Sequence, residues 1–170
     1  MSKFKVTVSK DYLGFAAAHF ITLRGHMCEA LHGHNYRVAV TVEGPLDPEC
    51  HFVVDFAVLK TVLRRWIEHV DHRVLLPTSN PKLSYREEQG LTCVDYGGEP
   101  SYRFPTRDCA MLPMANTTAE LLAAWFAERV RADLAERGAR IHRLEIEVEE
   151  SPGQSATYSC GAEPGKERAE

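Results

Sequence analysis

The sequence has few of the features that mark membrane or secreted proteins. Its 170 residues contain no uninterrupted apolar run long enough to span a bilayer. Residues 1–6 lack the apolar stretch of a signal peptide. The five cysteines form no Cys-x-x-Cys pair, and an odd count without such pairs favours reduced thiols. We therefore expect a cytoplasmic protein with no membrane partner.

The sequence also lacks a large excess of positive or negative charge. Lys and Arg number 20 against 24 Asp and Glu, so a formal net charge of −4 offers no overall attraction for nucleic acid. An anionic substrate would need local basic groups. The hydrophobic fraction of 44% is ordinary for a globular protein, and the length suffices for one domain with a sizeable core.

Three histidines and a cysteine lie close together near the N-terminus. If residues 32–42 form a strand, His32 and His34 point to the same face, because strand side chains alternate. His19 lies a short loop upstream, and Cys28 precedes His32 by four positions. Three neutral imidazoles leave one position of a tetrahedral zinc ion open, as in catalytic zinc sites. The alternative is a pair of strand histidines hydrogen-bonded within a sheet.

Apolar periodicity predicts four strands and two helices in the order ββααββ. The strands are expected at residues 4–19, with a break near Gly14, and at residues 32–42, 141–150 and 156–160. The helices are expected from Asp55 to about Val70 and from Thr117 to about Gly138. This pattern predicts an α+β fold with an antiparallel four-stranded sheet and two helices. Residues 1–160 would form this single domain, and residues 161–170 a polar, disordered tail.

The segment between the helices, residues 78–115, is the least regular part. Residues 91–96 and 102–104 flank two glycines and predict a hairpin. The rest is rich in Pro, Ser and Asn and predicts loop.

Both predicted helices carry capping residues. Asp55 suits the N-cap of the first helix. Thr117 and Glu120 have the spacing of a capping box with Thr117 at the N-cap, and Gly138 suits the C-terminal end. The free amides near Thr117 and Thr118 could instead hold a polar ligand.

Asp71, His72 and Glu150 each allow two interpretations. His72, after Asp71 at the exit of the first helix, either sits at the negative helix end or is placed to move a proton. Strand alternation puts Glu150 on the apolar face, where a carboxylate is costly unless it is paired. Glu150 therefore either reaches solvent at the strand end or anchors a ligand.

Taken together, the motifs resemble the 6-pyruvoyl-tetrahydropterin synthase family. Within it they resemble most the bacterial 6-carboxy-tetrahydropterin synthases of the queuosine pathway. The matching segments run in the family's order from near the start to about Tyr158. They are Phe15-Ala16-Ala17-Ala18-His19, Cys28-x-x-x-His32-Gly33-His34-Asn35-Tyr36, Val54-Asp55-Phe56-x-x-Leu59-Lys60, Val70-Asp71-His72-x-x-Leu75, Thr117-Thr118-x-Glu120 and Val148-x-Glu150-Ser151.

The resemblance implies the tunnelling fold (T-fold). In that family three subunits pair their sheets into a barrel, two trimers stack as a homo-hexamer, and the active sites lie between subunits. It also implies a zinc ion, Zn2+, bound by His19, His32 and His34.

The same resemblance implies roles for the other residues. Cys28 would be the acid/base thiol, activated by Asp71 and His72 of a neighbouring subunit. The implied pterin-binding residues are Glu150, Thr117 and Thr118.

The implied activity is that of a zinc-dependent lyase. It would convert 7,8-dihydroneopterin triphosphate to 6-carboxy-5,6,7,8-tetrahydropterin, with release of triphosphate and acetaldehyde. Formation of 6-pyruvoyl-tetrahydropterin is an alternative within the family.

Two features depart from the family's pattern. Glu29 beside Cys28 resembles members that release 6-hydroxymethyl-7,8-dihydropterin for folate synthesis, or a subgroup with both activities. Otherwise Glu29 is a solvated loop residue. Residues 78–115 form an insertion that is longer than the connection expected between the helices.

A structural zinc module is the main alternative outside enzymes, and a pterin-binding or assembly protein that has lost catalysis is another. The zinc module would need Cys28 as a fourth zinc ligand, which closes the site, and the spacing to His32 allows this.

Overall fold

Two β-sheets and two helices make up the fold in the computed structural model, which describes residues 4–25 and 28–161. The strands are β1 (Phe4–His19), β2 (His32–Gly44), β3 (Arg73–Pro77), β4 (Leu83–Glu88), β5 (Leu91–Tyr96), β6 (Glu99–Pro105), β7 (Cys109–Leu112), β8 (Arg143–Ser151) and β9 (Gln154–Gly161). The helices are α1 (Phe56–Ile67), α2 (Ala119–Glu136) and a short 3-10 helix, Thr106–Asp108. Neither α-helix in this part of the chain is long and apolar enough to cross a membrane.

The main sheet has six strands in the order β7-β3-β1-β2-β8-β9. The predicted antiparallel four-stranded sheet is therefore wrong. Its four strands exist as β1, β2, β8 and β9, paired antiparallel, but β3 and β7 add two parallel pairings beyond β1. In β3 the run Leu75-Leu76-Pro77 is buried without alternation, as is typical of strands covered on both faces. A run this short carries no strand periodicity, so sequence patterns gave no sign of it.

The register between β1 and β2 decides which side chains share a face at the end of the sheet where the histidines lie. Val8 lies opposite Val40, and His19 opposite His32. A bulge between Ser9 and Gly14 absorbs the extra residues of β1, which correspond to the predicted break near Gly14. A Cβ at Gly14 would collide with the carbonyl oxygen of Tyr36, so only glycine allows the strands to close here.

The main core lies between the six-stranded sheet and the two helices. Alternate residues of β1, β2 and β8 point into it, among them Phe15, Val40 and Ile146. The stripe of α1 predicted from periodicity supplies Leu59 and Leu63, both fully buried. The polar residues that alternate with them in the same strands lie on the opposite face of the sheet. This explains the clear alternation of the sequence.

Asp55 and Gly138 lie at helix ends as predicted, although α1 is shorter than predicted. Asp55 caps α1 by accepting from the backbone N–H of Ala57 at 2.7 Å, as predicted. α1 ends at Ile67, one turn before the predicted end. Gly138 follows the C-cap of α2 at φ +76°, a left-handed conformation that glycine adopts freely.

The predicted capping box at the start of α2 is wrong by one position. The N-cap is Thr118, whose hydroxyl accepts from the N–H of Leu121 at 3.4 Å. Thr117 is fully buried, and its hydroxyl donates to the carbonyl of Phe20 at 3.2 Å. A tertiary contact with the chain after β1 therefore occupies the threonine that local spacing had assigned to the cap.

The insertion between the helices forms a second sheet with its own small core. Strands β4, β5 and β6 pair antiparallel, and the predicted hairpin is confirmed as β5 and β6. Phe20, Leu76, Leu83 and Val94 are the buried residues of this core. The expectation of loop elsewhere in residues 78–115 is wrong, because β4 and β7 also lie there. The predicted disordered tail falls outside the described residues, apart from Gly161, which ends β9.

Replacing Phe126, a fully buried residue of α2, should test the main core. We expect Phe126→Ala to lower the free energy of unfolding by about 3–5 kcal/mol, because it leaves a cavity against Phe15. Urea denaturation at fixed protein concentration measures this. Phe56→Ala is the matched control, because Phe56 is 53% exposed. Equal losses in both variants would contradict the assigned core.

Candidate active site

Three histidines meet where the ends of β1 and β2 lie side by side. His19 ends β1, and His32 and His34 begin β2 with their side chains on the helix-facing side of the sheet. One ring nitrogen from each lies within 4.8 Å of the other two. The predicted grouping of these residues is therefore present, and it could hold a metal ion.

Hydrogen bonds fix the tautomers of two of these histidines. Nδ1 of His19 lies 2.9 Å from the carbonyl of Thr117, and Nδ1 of His32 lies 2.8 Å from that of Ala30. Because a carbonyl only accepts, each Nδ1 carries the proton and each Nε2 presents a lone pair. Burial, the largest effect, lowers the pKa of His19, so its imidazole stays neutral.

The two Nε2 atoms face each other at a distance suited to a shared cation. They are 3.1 Å apart in His19 and His32. Two ligands at about 2.0–2.1 Å from one tetrahedral metal ion lie about 3.3 Å apart. Opposed lone pairs repel at this distance unless a cation lies between them. The donor set therefore fits a metal ion better than the alternative of hydrogen-bonded strand histidines.

Glu150 and Tyr36 complete one wall of the site. Oε1 of Glu150 lies 3.5 Å from Nε2 of His19 and 3.8 Å from Nε2 of His34. Tyr36 donates its hydroxyl proton to the same oxygen at 3.3 Å. Burial and then Glu150 raise the pKa of Tyr36, so the phenol remains a donor. The carboxylate at the end of β8 thus lies at the histidine cluster, where sequence patterns assign Tyr36 no role of its own.

Cys28 lies outside the cluster of histidines. It forms an isolated bridge with Thr22, and its thiol donates to the carbonyl of Glu29 at 3.5 Å. Its side chain packs against the small core of the insertion. Burial, then Glu29, raises the pKa of Cys28, while Lys82 acts in the opposite direction. Within one chain, therefore, the thiol is not set up as a thiolate.

The position of Cys28 opposes a closed metal site. A fourth ligand would have to join the group of three nitrogens, and the thiol is not among them. Glu29 comes nearer, with Oε2 at 4.0 Å from Nε2 of His32. Its side chain is 46% exposed and approaches His32. Of the two neighbouring residues, Glu29 is the one in contact with the cluster.

Asp71 and His72 form a pair that is held against Ala16 of β1. Nδ1 of His72 lies 2.9 Å from Oδ1 of Asp71, which also accepts from the N–H of Ala16 at 2.9 Å. The backbone N–H of His72 donates to the carbonyl of Ala16 at 2.7 Å. His72 has φ +56°, and its side chain is 82% exposed. Among the described residues no hydrogen bond or ion pair joins this pair to Cys28.

The two threonines before α2 lie next to the site in different ways. The carbonyl of Thr117 orients His19, while its buried hydroxyl is engaged by Phe20. Thr118 uses its hydroxyl as the N-cap. Both hydroxyls therefore already have partners within the chain.

Comparison with known proteins places this chain in a family and supports its fold. The family model for 6-pyruvoyl tetrahydropterin synthase matches residues 7–160, nearly the whole chain. The chain belongs to the 6-pyruvoyl tetrahydropterin synthase family. The histidines, Cys28 and Glu150 all lie within the matched range.

Relatives from several organisms carry related names. A protein of Methanocaldococcus jannaschii, provisionally named 6-carboxy-5,6,7,8-tetrahydropterin synthase, is 32% identical over 86% of this chain and 89% of its own length. The 6-carboxy-5,6,7,8-tetrahydropterin synthase of Haemophilus influenzae is 28% identical over 74% of this chain and 82% of its own.

Solved structures show the same fold. The 6-pyruvoyl tetrahydropterin synthase of Plasmodium vivax is 27% identical, with a TM-score of 0.88 over 95% of this chain and 100% of that one. Two variants of that protein, described as catalytic-residue mutants, replace a glutamate by alanine and by cysteine.

Removal of one histidine should abolish tight metal binding. We expect His34→Ala to weaken the affinity for a divalent transition metal by at least about 100-fold, because a direct ligand is lost. Inductively coupled plasma mass spectrometry after dialysis against a chelator measures the bound metal. His142→Ala, an exposed histidine elsewhere, is the control. Equal metal content in the His34 variant and the wild type would contradict the site.

Proposed function

We propose that this protein binds zinc through His19, His32 and His34 and is a 6-carboxy-5,6,7,8-tetrahydropterin synthase. The substrate would be 7,8-dihydroneopterin triphosphate, and the by-products triphosphate and acetaldehyde. The observation that carries the proposal is the pair of opposed Nε2 lone pairs beside Glu150, in a chain of this family. The names of the archaeal and bacterial relatives support the choice of product.

We assign substrate binding to the side of the histidine cluster that Glu150 and Tyr36 form. Glu150, oriented by the Tyr36 hydroxyl, would accept N–H bonds from the pterin ring, and such charge-assisted bonds are strong. Thr117 and Thr118 would contribute through the backbone at the start of α2, since their hydroxyls are already engaged. Zinc, when bound, supplies Lewis-acid stabilisation for the oxygens of the substrate side chain.

Proton transfer is assigned to Cys28, Asp71 and His72. Cys28 would take and return the proton next to the pterin ring. Burial and Glu29 raise its pKa within one chain, and a nearby imidazole would favour the thiolate. His72 is exposed and held by Asp71, as expected of a group that acts outside its own chain.

We infer a homo-hexamer with active sites between subunits. The strands β7 and β9 form the two edges of the main sheet, and open edges favour pairing with another subunit. The shared site requires that this pairing bring the Asp71–His72 pair of one chain close to the Cys28 of the next. All five cysteines are free in the structure, which supports a reducing, cytoplasmic location.

Glu29 favours a second candidate function. Its carboxylate lies 4.0 Å from His32, and a structural relative has a glutamate described as catalytic. A base at this position would support release of 6-hydroxymethyl-7,8-dihydropterin for folate synthesis, alone or beside the first activity.

A product assay decides between these functions. The zinc-loaded protein is incubated with 7,8-dihydroneopterin triphosphate, and the pterin product is identified by mass. We expect 6-carboxy-5,6,7,8-tetrahydropterin, with turnover lost at least about 100-fold in Cys28→Ala because the acid/base group is removed. Glu29→Ala should retain this product. Cys50→Ala, which removes an exposed thiol in a turn, is the matched control.

Other products would point elsewhere. A 6-hydroxymethyl product that depends on Glu29 would assign the protein to the second function. Failure of the zinc-loaded wild type to convert the substrate would overturn both functions.

Mixed assemblies test the shared active site. Cys28→Ala and His72→Ala subunits should each be inactive alone. Random co-assembly should restore about a quarter of wild-type turnover, because about one site in four then combines an intact Cys28 with an intact neighbouring His72. No recovery in verified mixed oligomers would show that both residues act within one chain.

A further inference from the structure

Lys82 fastens the chain segment that carries Cys28 to the inserted sheet. It lies just before β4, and its Nζ donates to the carbonyl of Leu23 at 2.7 Å and to that of Gly25 at 2.6 Å. Both carbonyls belong to the segment between β1 and β2, of which residues 20–25 and 28–31 are described. We call these residues the Cys28 segment. Two of the three ammonium protons are thereby engaged.

Two asparagines at the ends of the insertion hold the same segment. Asn80 donates to the hydroxyl of Thr22 at 2.8 Å. Asn116 accepts from the N–H of Thr22 at 3.3 Å and donates to its carbonyl at 3.0 Å. These bonds fix Thr22, and the Lys82 bonds fix Leu23 and Gly25, which follow it in the chain.

The second half of the Cys28 segment pairs with its first half. The N–H of Glu29 donates to the carbonyl of Ile21 at 2.8 Å, and Thr22 bridges to Cys28. Phe20, at the base, stacks on Tyr102 of β6 with ring centroids 5.1 Å apart. Because Leu23 directly follows Thr22, a displacement of Leu23 and Gly25 would strain the Thr22–Cys28 bridge and the bond between Glu29 and Ile21.

The charge of Lys82 also acts on the thiol. Burial and Glu29 disfavour the thiolate of Cys28, and Lys82 is the charge that opposes them. A positive group that both orders the segment and favours the reactive form of its thiol suits an acid/base residue.

We propose that Lys82 is a positioning residue that holds Cys28 and Glu29 at the metal site. For its catalytic consequence the inference rests on the proposed function, while the fastening of the segment stands on the contacts alone. The insertion then acts as a support for the reacting side chains.

Hydrogen exchange and kinetics of Lys82→Met test this. We expect the amide of Glu29 to exchange about tenfold faster, because two charge-assisted hydrogen bonds that hold the segment are lost. With the pterin substrate, kcat should fall about tenfold while KM stays unchanged, since Lys82 orders the acid/base group and does not bind substrate. Lys82→Arg keeps the charge and two donors and should restore both quantities.

Arg86→Met is the matched control. Arg86 is a cation of the same inserted sheet, but it pairs with Glu88 and Asp95 and does not touch the Cys28 segment. Exchange of Glu29 and kcat should remain as in the wild type. If Arg86→Met reproduces the Lys82→Met effects, general loosening of the insertion explains them and the proposal is overturned.

Other outcomes also decide the matter. A raised KM with unchanged kcat in Lys82→Met would show direct substrate binding, and unchanged exchange of Glu29 would show no fastening. Either result overturns the proposal. If the wild type does not convert the substrate, faster exchange in Lys82→Met still supports the fastening, while the proposed function alone fails.

Discussion

The antiparallel register between β1 and β2 is the constraint on which the site depends. It sets His19, the last residue of β1, opposite His32, the first residue of β2. Because side chains alternate with a period of two, a slip of one residue would turn His32 and His34 to the opposite face of the sheet. The bulge before Gly14 allows the long β1 to keep this parity after its irregular middle. Burial of Phe15, Val38 and Val40 in the main core holds the register in place.

Polar groups in the site are satisfied by three other parts of the chain. The start of α2 provides the carbonyl of Thr117, and the end of β8 provides Glu150. The segment before β2 provides the carbonyl of Ala30. A fully buried imidazole such as His19 would be costly without these partners. The arrangement of the three histidines is therefore a property of the folded sheet and its helices together, and no single motif contains it.

Sequence patterns predicted the parts of this protein that depend on local chemistry. Alternation identified the shared face of His32 and His34, and short-range hydrogen bonding identified Asp55 and Gly138 as caps. Strands β3 and β7 were missed because four or five residues show no period. The cap of α2 was misplaced because a distant carbonyl engages Thr117. The role of Tyr36 at Glu150 and the contacts of Lys82 arise between segments far apart in sequence, where periodicity carries no information.

The site depends on two separate cores. Strands β1 and β2, which carry the histidines, pack in the large core, whereas Phe20 and Cys28 pack in the small one with Leu76 and Val94. Breaking the contacts of the small core costs less free energy than global unfolding, since local openings involve only part of the buried surface. The two cores are joined at the site itself, because the carbonyl of Phe20 accepts from the hydroxyl of Thr117, whose own carbonyl orients His19. Loosening of the inserted sheet would therefore disturb the imidazoles even while the main sheet stays folded.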